Sequence, residues 1–205
     1  MPLFKLSELN LKARRLYKSF ATITREKELA PVDTNYDIFL SHCFKDANTV
    51  LGLSALLEEM GYLIYIDWIN DPQLDRGKTL KSTAERLKLR MQHSKCLFYA
   101  FTQNYNDSIW MPWELGYFDG KKERAAILPI DDKDLSTESY VGSEYLGLYP
   151  YVTKNRINGS IDKKEILRIN ESPNKYVTFD KWLQGSSLHE HKKMIKVTYS
   201  NNKCS

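Results

Sequence analysis

Long apolar runs are missing from these 205 residues. No stretch approaches the ~18 apolar residues of a membrane-spanning helix, and Arg14, Arg15 and Lys18 stand where a secretory signal would carry its apolar segment. Neither a membrane span nor secretion is expected, and the chain reads as cytoplasmic. Cysteine is scarce: Cys43, Cys96 and Cys204 form no Cys-x-x-Cys pair, which fits free thiols in a reducing compartment and neither a disulfide framework nor a zinc site. His189 and His191 flank Glu190 without further ligands at metal spacing, so no metal is expected. No Gly-x-Gly-x-x-Gly follows the first predicted strand, which argues against a hydride-transfer dinucleotide fold. Gly77-Lys78-Thr79 looks like the end of a phosphate-binding P-loop, but Pro72 stands where that motif needs its first glycine. Internal repeats and low-complexity tracts are also absent.

Charge is present but unevenly placed. Residues 1–30 carry 7 basic and 3 acidic side chains, residues 31–149 carry 12 and 18, and residues 150–205 carry 11 and 5. A nucleic-acid binder concentrates positive charge on its recognition domain, and here the expected folded core is acidic between basic flanks. Nucleic acid is therefore not expected as a partner. At 24.0 kDa the chain is long enough for one medium domain with extensions.

Periodicity divides the chain into a helical extension over 1–33, a central domain over 34–150 and an appendage over 151–205. A helix beginning after Ser7 places Leu9, Leu16, Phe20 and Ile23 near one face. The spacing then predicts a strand at Tyr36 to Ser41, a helix from Asp46 to Gly61, a strand at Tyr62 to Asp67 and a loop from Trp68 to Lys78. A helix over 79–93 should bury Leu80, Ala84, Leu87 and Met91. A strand at Lys95 to Thr102, a short helix from Pro112 through Gly116, a strand at Ala125 to Ile130 and a fifth near Leu148 to Val152 follow. Strands alternating with helices imply a parallel sheet with right-handed crossovers. In the appendage, Ile166 to Ile169, Tyr176 to Phe179 and Ile195 to Tyr199 read as short strand-like pieces.

Ligands of open parallel sheets sit outside the carboxyl ends of the strands. That rule singles out Ser41, His42, Cys43 and Phe44 after the first strand, and Asp67 and Trp68 after the second. Ser41 could equally serve as a cap for the next helix, and Trp68 could be covered at the edge of the core. Glu85 follows Ala84, so a turn of about 100° carries it off the buried stripe, to the side that holds Leu89. Its ordinary role would be a surface pair with Lys81 or Lys88.

Five segments in fixed order are more specific than any one of them: YDIFLSHCFKDA, YLIYIDW, LDRGK, SKCLFYAFT and WMPWELGYFDG. Tyr36 to His42, Leu74 to Lys78 and Trp110 to Leu115 resemble, respectively, the opening strand, the loop after the second strand and the Trp-x-x-x-Glu-Leu element of a Toll/interleukin-1 receptor (TIR) domain of the bacterial kind. The resemblance implies an α/β, flavodoxin-like fold with a five-stranded parallel sheet and helices on both faces, the N-terminal helix and C-terminal appendage lying outside it. It also implies an NAD+ glycohydrolase or cyclase that breaks the nicotinamide-ribose bond to give ADP-ribose or a cyclic ADP-ribose-type signal, as in anti-phage systems of the Thoeris type. The family's alternative is a non-catalytic interaction module, or a nucleotide sensor.

In the cleaving members a Glu on the helix after that loop is essential, which the resemblance carries over to Glu85. Nicotinamide leaves as a neutral group, so the barrier is positive charge on the ribose, which a carboxylate stabilises. Ser41, His42, Phe44, Asp67 and Trp68 are then expected at the substrate, Asp75, Arg76 and Gly77 in the assembly loop, and Trp110, Trp113 and Glu114 as structural supports. NAD+ is substrate and no permanent cofactor is implied. The implied partners are further copies of the chain, completing a composite site, and a separate nucleotide-activated effector.

Overall fold

Three apolar segments form the centre of the molecule, buried from both sides as strands covered by helices must be. The structure, a computed structural model, describes residues 4–16, 31, 33–74, 77–132, 144–156 and 165–191. Strands β1 (Tyr36–Ser41), β3 (Ser94–Phe101) and β4 (Ala125–Pro129) are that centre; β2 (Ile64–Tyr65) and β5 (Tyr151–Arg156) flank them. They lie in the order β2-β1-β3-β4-β5 and every neighbouring pair is parallel, with Leu40 beside Phe98 and Leu97 beside Ala125. This is the flavodoxin-like order, and its switch point falls between β1 and β3.

The sheet does not stop at five strands. Beyond β5 it turns antiparallel through β6 (Glu165–Ser172), β7 (Lys175–Thr178) and β8 (His189–Glu190), making eight among the described residues. The short pieces expected near Ile166 and Tyr176 are thus continuations of the main sheet; the piece at Ile195 to Tyr199 lies outside the described residues.

Alternation along the strands feeds two apolar layers. On one face Ile38, Leu40, Phe98 and Leu128 pack with Leu9 and Ala13 of α1 (Leu6–Leu16), Val50, Leu53 and Leu57 of α2 (Ala47–Glu59), and Phe179 and Trp182 of the short helix Phe179–Leu183. On the other, Phe39, Leu97, Tyr99 and Ile127 meet Leu87 and Met91 of α4 (Lys81–Gln92) and Met111, Leu115 and Phe118 of α5 (Trp110–Lys122). Each of the buried Val, Leu, Ile, Phe and Met side chains contributes about 1.5–3 kcal/mol by leaving water. The N-terminal segment is fastened as well: Phe4 bridges Ile130, Ser7 donates from its backbone N–H and Oγ to Asp132, and Lys12 pairs with Glu59. Phe20 and Ile23 lie outside the described residues.

Several boundaries differ from expectation for local reasons. The second strand is two residues long, because the chain turns into α3 (Asp67–Asn70) as Asn70 Oδ1 accepts the Ile66 N–H at 2.8 Å. The helix expected from Pro112 through Gly116 runs instead from Trp110 to Lys122, passing Gly116 and ending at Glu123, a non-glycine residue at φ 50°. Leu80 precedes α4 in extended conformation and is 44% exposed, so it is not part of the buried stripe; Thr83 and Arg90 are.

Candidate functional site

The carboxyl ends of the parallel strands open into a cavity of about 490 Å³, lined among the described residues by the segment after β1, by α3 and the loop behind it, and by the segment after β3. That volume is within the roughly 300–1,000 Å³ common for small-molecule sites. His42, Phe44, Asp67, Trp68 and Gly77 all reach it, so one wall holds most of the side chains expected at substrate.

His42 has a polar neighbour at each ring nitrogen. Nδ1 lies 2.8 Å from the Leu40 carbonyl oxygen and Nε2 lies 3.3 Å from Asp67 Oδ1, with both side chains buried. Trp68 is half-buried and packs against the core while facing the cavity. Phe44 is 72% exposed at the cavity, an unusual setting for a ring unless something arrives to cover it. Cys43 also lines the wall; burial, foremost, pushes its thiol above the ordinary range, so it is a poor nucleophile.

Ser41 lies behind this surface. Its hydroxyl donates to Glu114 Oε2 at 2.6 Å, both residues are fully buried, and Ser41 is not among the cavity-lining residues. Glu114 thereby ties α5 to the end of β1. Trp110 is 5% exposed yet touches the cavity, and Trp113 packs edge-on to it and stacks on Tyr117.

Glu85 stands elsewhere. Its side chain is 63% exposed on α4, 3.7 Å from Lys81 Nζ, and it does not line the cavity. Asp75 and Arg76 lie outside the described residues; Pro72, Leu74 and Gly77 bring the rest of that loop to the cavity wall. The root of the loop is held firmly: buried Arg90 donates from Nε and Nη2 to the two oxygens of Asp71 at 2.8 and 3.1 Å, and Tyr65 donates its hydroxyl to the same carboxylate.

Sequence reading missed the third wall. Asp46, expected to open α2, makes no cap bond; it accepts from Thr102 Oγ1 at 2.6 Å and Asn104 Nδ2 at 2.7 Å, stapling the segment after β3 to the segment after β1. This brings Asp107, Ser108 and Ile109 to the cavity, where Asp107 pairs with Lys45 at 3.0 Å. The strand-end rule, extended to the third strand, would have pointed to this segment. Among the described residues, no group of three His, Cys, Asp or Glu is placed to hold a metal, and no helix is long and apolar enough to cross a membrane.

A flavodoxin-like parallel sheet with polar and aromatic side chains around a cavity at its strand ends, and with the loop after the second strand on its wall, is the architecture of a TIR-type domain. No family model matches the chain. It is 54% identical over 149 residues to the probable 3' cyclic ADP-D-ribose synthase ThsB' of Bacillus cereus (strain MSX-D12), a match covering 73% of this chain and 76% of the relative. The chain therefore belongs to the family of bacterial, Thoeris-like TIR proteins that includes this relative. It is also 32% identical over 83 residues to the putative cyclic ADP-D-ribose synthase TIR2 of Cytobacillus dafuensis, covering 40% of this chain and 22% of that protein. Among solved structures, the TIR domains of the activated Roq1 resistosome recognising the effector XopQ match at 30% identity with a TM-score of 0.36, over 54% of this chain and 66% of that one.

Proposed function

We propose that the chain breaks the nicotinamide-ribose bond of NAD+ and closes the remaining ADP-ribose on itself, producing a cyclic ADP-ribose-type signal in anti-phage defence. The main support is the 54% identity to a relative named as a probable 3' cyclic ADP-D-ribose synthase. In the reaction the C–N bond breaks and its electron pair leaves with neutral nicotinamide. A ribose hydroxyl of the same molecule then forms the new C–O bond and gives up its proton. Water in its place would yield linear ADP-ribose. NAD+ is the substrate, and no permanent cofactor has a role.

The cavity suits the dinucleotide. Trp68 and Phe44 offer ring faces, and His42 and Asp67 offer a rigid polar pair for ribose hydroxyls. Ser41 acts through Glu114, holding the end of β1 in place. Glu85 is assigned to the charge that builds on ribose. Because its carboxylate is exposed on α4 outside this cavity, we assign it to a site completed by a second copy, whose loop around Asp75 to Gly77 lies against the first. In this reading residues 34–150 carry the chemistry, residues 1–33 and 151–205 support them, and the product acts on a separate nucleotide-activated effector.

One observation favours a second reading. Glu85 in a surface pair with Lys81 is also what an interaction module without turnover would show. Mass analysis of NAD+ incubated with concentrated protein separates the two. Release of nicotinamide with a cyclic product, lost in Glu85→Gln, supports the enzyme; unchanged NAD+ under every assembling condition supports the module. Activity recovered on mixing Glu85→Gln with a Gly77→Pro variant supports the composite site, and no recovery counts against it.

A further inference from the structure

The cavity presents a charge problem to any dinucleotide. A diphosphate carries two negative charges, and the lining already holds the carboxylates of Asp67 and Asp107. Among the described lining residues one side chain is a lysine or arginine: Lys45, in the turn Phe44–Asp46 that follows β1. Its Nζ is 3.0 Å from Asp107 Oδ2, and the two side chains are 65% and 46% exposed. The hydrogen bond to Asp107 raises the pKa of an ammonium that is already charged near neutral pH.

We propose that Lys45 is the diphosphate-holding residue of this cavity, and that Asp107 occupies its ammonium until substrate arrives. The inference rests on the NAD+ reading above and adds to it the group that binds the phosphates and the group that competes for that position.

Energetics favour such an exchange. An exposed lysine–carboxylate pair is screened by water and salt and contributes little, so giving it up costs little. A phosphate oxygen returns a charge-assisted hydrogen bond from a doubly charged acceptor. The turn is well supported while the lysine side chain is exposed. Asp46, next in sequence, is clamped by Thr102 and Asn104, whereas the Lys45 ammonium meets Asp107 alone among the described residues. Asp107 sits on the segment that this same clamp fastens, so donor and competitor stay on facing walls. Phe44 beside Lys45 offers a ring face next to the phosphates.

A strut and a reserve clamp predict opposite results at Asp107. If the pair only braces the walls, Lys45→Ala and Asp107→Asn both weaken binding. If Lys45 serves the diphosphate, Lys45→Ala weakens it and Asp107→Asn strengthens it. The experiment measures Kd for ADP-ribose by calorimetry and KM for NAD+ on the full chain, with nicotinamide riboside as the probe lacking a diphosphate. Lys45→Ala is expected to raise Kd and KM about tenfold, the equivalent of ~1.4 kcal/mol, with the change falling on KM and not kcat. Asp107→Asn is expected to lower both about two- to threefold, by removing one competing charge. Lys45→Arg is expected to recover most of the loss, and nicotinamide riboside to bind alike throughout.

Equal weakening by both variants, or the same shift for nicotinamide riboside as for NAD+, overturns the inference. Failure of the reaction itself reads differently. Opposite shifts in ADP-ribose affinity without release of nicotinamide keep the clamp and remove the enzyme. Turnover with one KM across all variants keeps the enzyme and removes the clamp. A wild-type chain that binds neither nucleotide removes both.

Discussion

His42 Nε2 lies 3.3 Å from Asp67 Oδ1, joining the end of the first strand to the helix that follows the second. The imidazole is held from behind by the Leu40 carbonyl, so its ring plane is set before any ligand enters. Removing one member of a buried pair leaves the other in a low-dielectric site, which costs more than the pair contributes. His42→Ala and Asp67→Asn are each expected to destabilise the chain by about 1–3 kcal/mol, and the double variant by clearly less than the sum. Urea unfolding of the four proteins in the cycle measures this; strictly additive losses would show that the two residues do not communicate.

Arg90 predicts a second outcome, because its guanidinium does three jobs at once. It grips both oxygens of Asp71, donates from Nη1 to the Pro31 carbonyl at 2.9 Å, and lies 5.6 Å from the centre of the Tyr65 ring. Lysine has neither the planar fork nor the reach for these contacts. Arg90→Lys is therefore expected to lose about 2–4 kcal/mol, close to the loss for Arg90→Ala, since either leaves Asp71 buried without its fork. Thermal unfolding measures the loss. Limited proteolysis between residues 72 and 80 checks whether the loop root loosens with it, and a native-like Arg90→Lys protein would refute the argument.

Gly52 lies mid-helix, where alanine would ordinarily gain about 1 kcal/mol. Here a Cβ would stand 1.9 Å from the Leu9 carbonyl oxygen of the N-terminal helix, a backbone atom that cannot step aside. The clash exceeds the propensity gain, so Gly52→Ala is expected to destabilise by about 1–3 kcal/mol. The loss should come from lifting α1 away from α2. Hydrogen exchange reports this directly: amides of residues 6–16 lose protection while those of β3 keep it. Increased stability would mean that α1 does not dock this closely.

These same residues show what was legible in the sequence. The central strands were plain because Lys95 to Thr102 and Ala125 to Ile130 are apolar runs with one burial solution. The wall holding His42, Asp67 and Trp68 followed from the strand-end rule. Other features depend on partners distant in sequence. Nothing local distinguishes Asp46 as a clamp on Thr102 from Asp46 as a helix cap, and both are ordinary roles for aspartate. Gly116 looked like a helix stop, yet nothing within 4 Å requires a glycine there, while the actual stop, Glu123, carries no signal of its left-handed backbone. The strands after Tyr151 were hard to read as sheet because their inward residues, among them Thr153 and Asn170, include polar groups satisfied across strands: Asn170 Nδ2 donates to Thr153 Oγ1 and to the Tyr151 carbonyl.

Alkaline pH provides the last prediction. Tyr149 donates its hydroxyl to Asp119 at 3.1 Å; burial first, and then the Asp119 charge, push its pKa up to about 12. Burial likewise raises Tyr62, whose hydroxyl donates to Asp180 at 2.7 Å, and raises Tyr65 well above its ordinary value. A phenol whose pKa is raised by folding holds its proton more tightly in the native state than in the unfolded one. Its contribution is fully present below the unfolded value of about 10 and is lost as pH climbs through the folded value. The urea midpoint is therefore expected to hold from pH 8 to about 10 and to fall steeply from there toward pH 12. Tyr62→Phe, which keeps the ring against Phe179 but has no proton to lose, is expected to start lower and fall less steeply. Parallel curves for the two proteins would show that the Tyr62 hydroxyl takes no part in the alkaline transition.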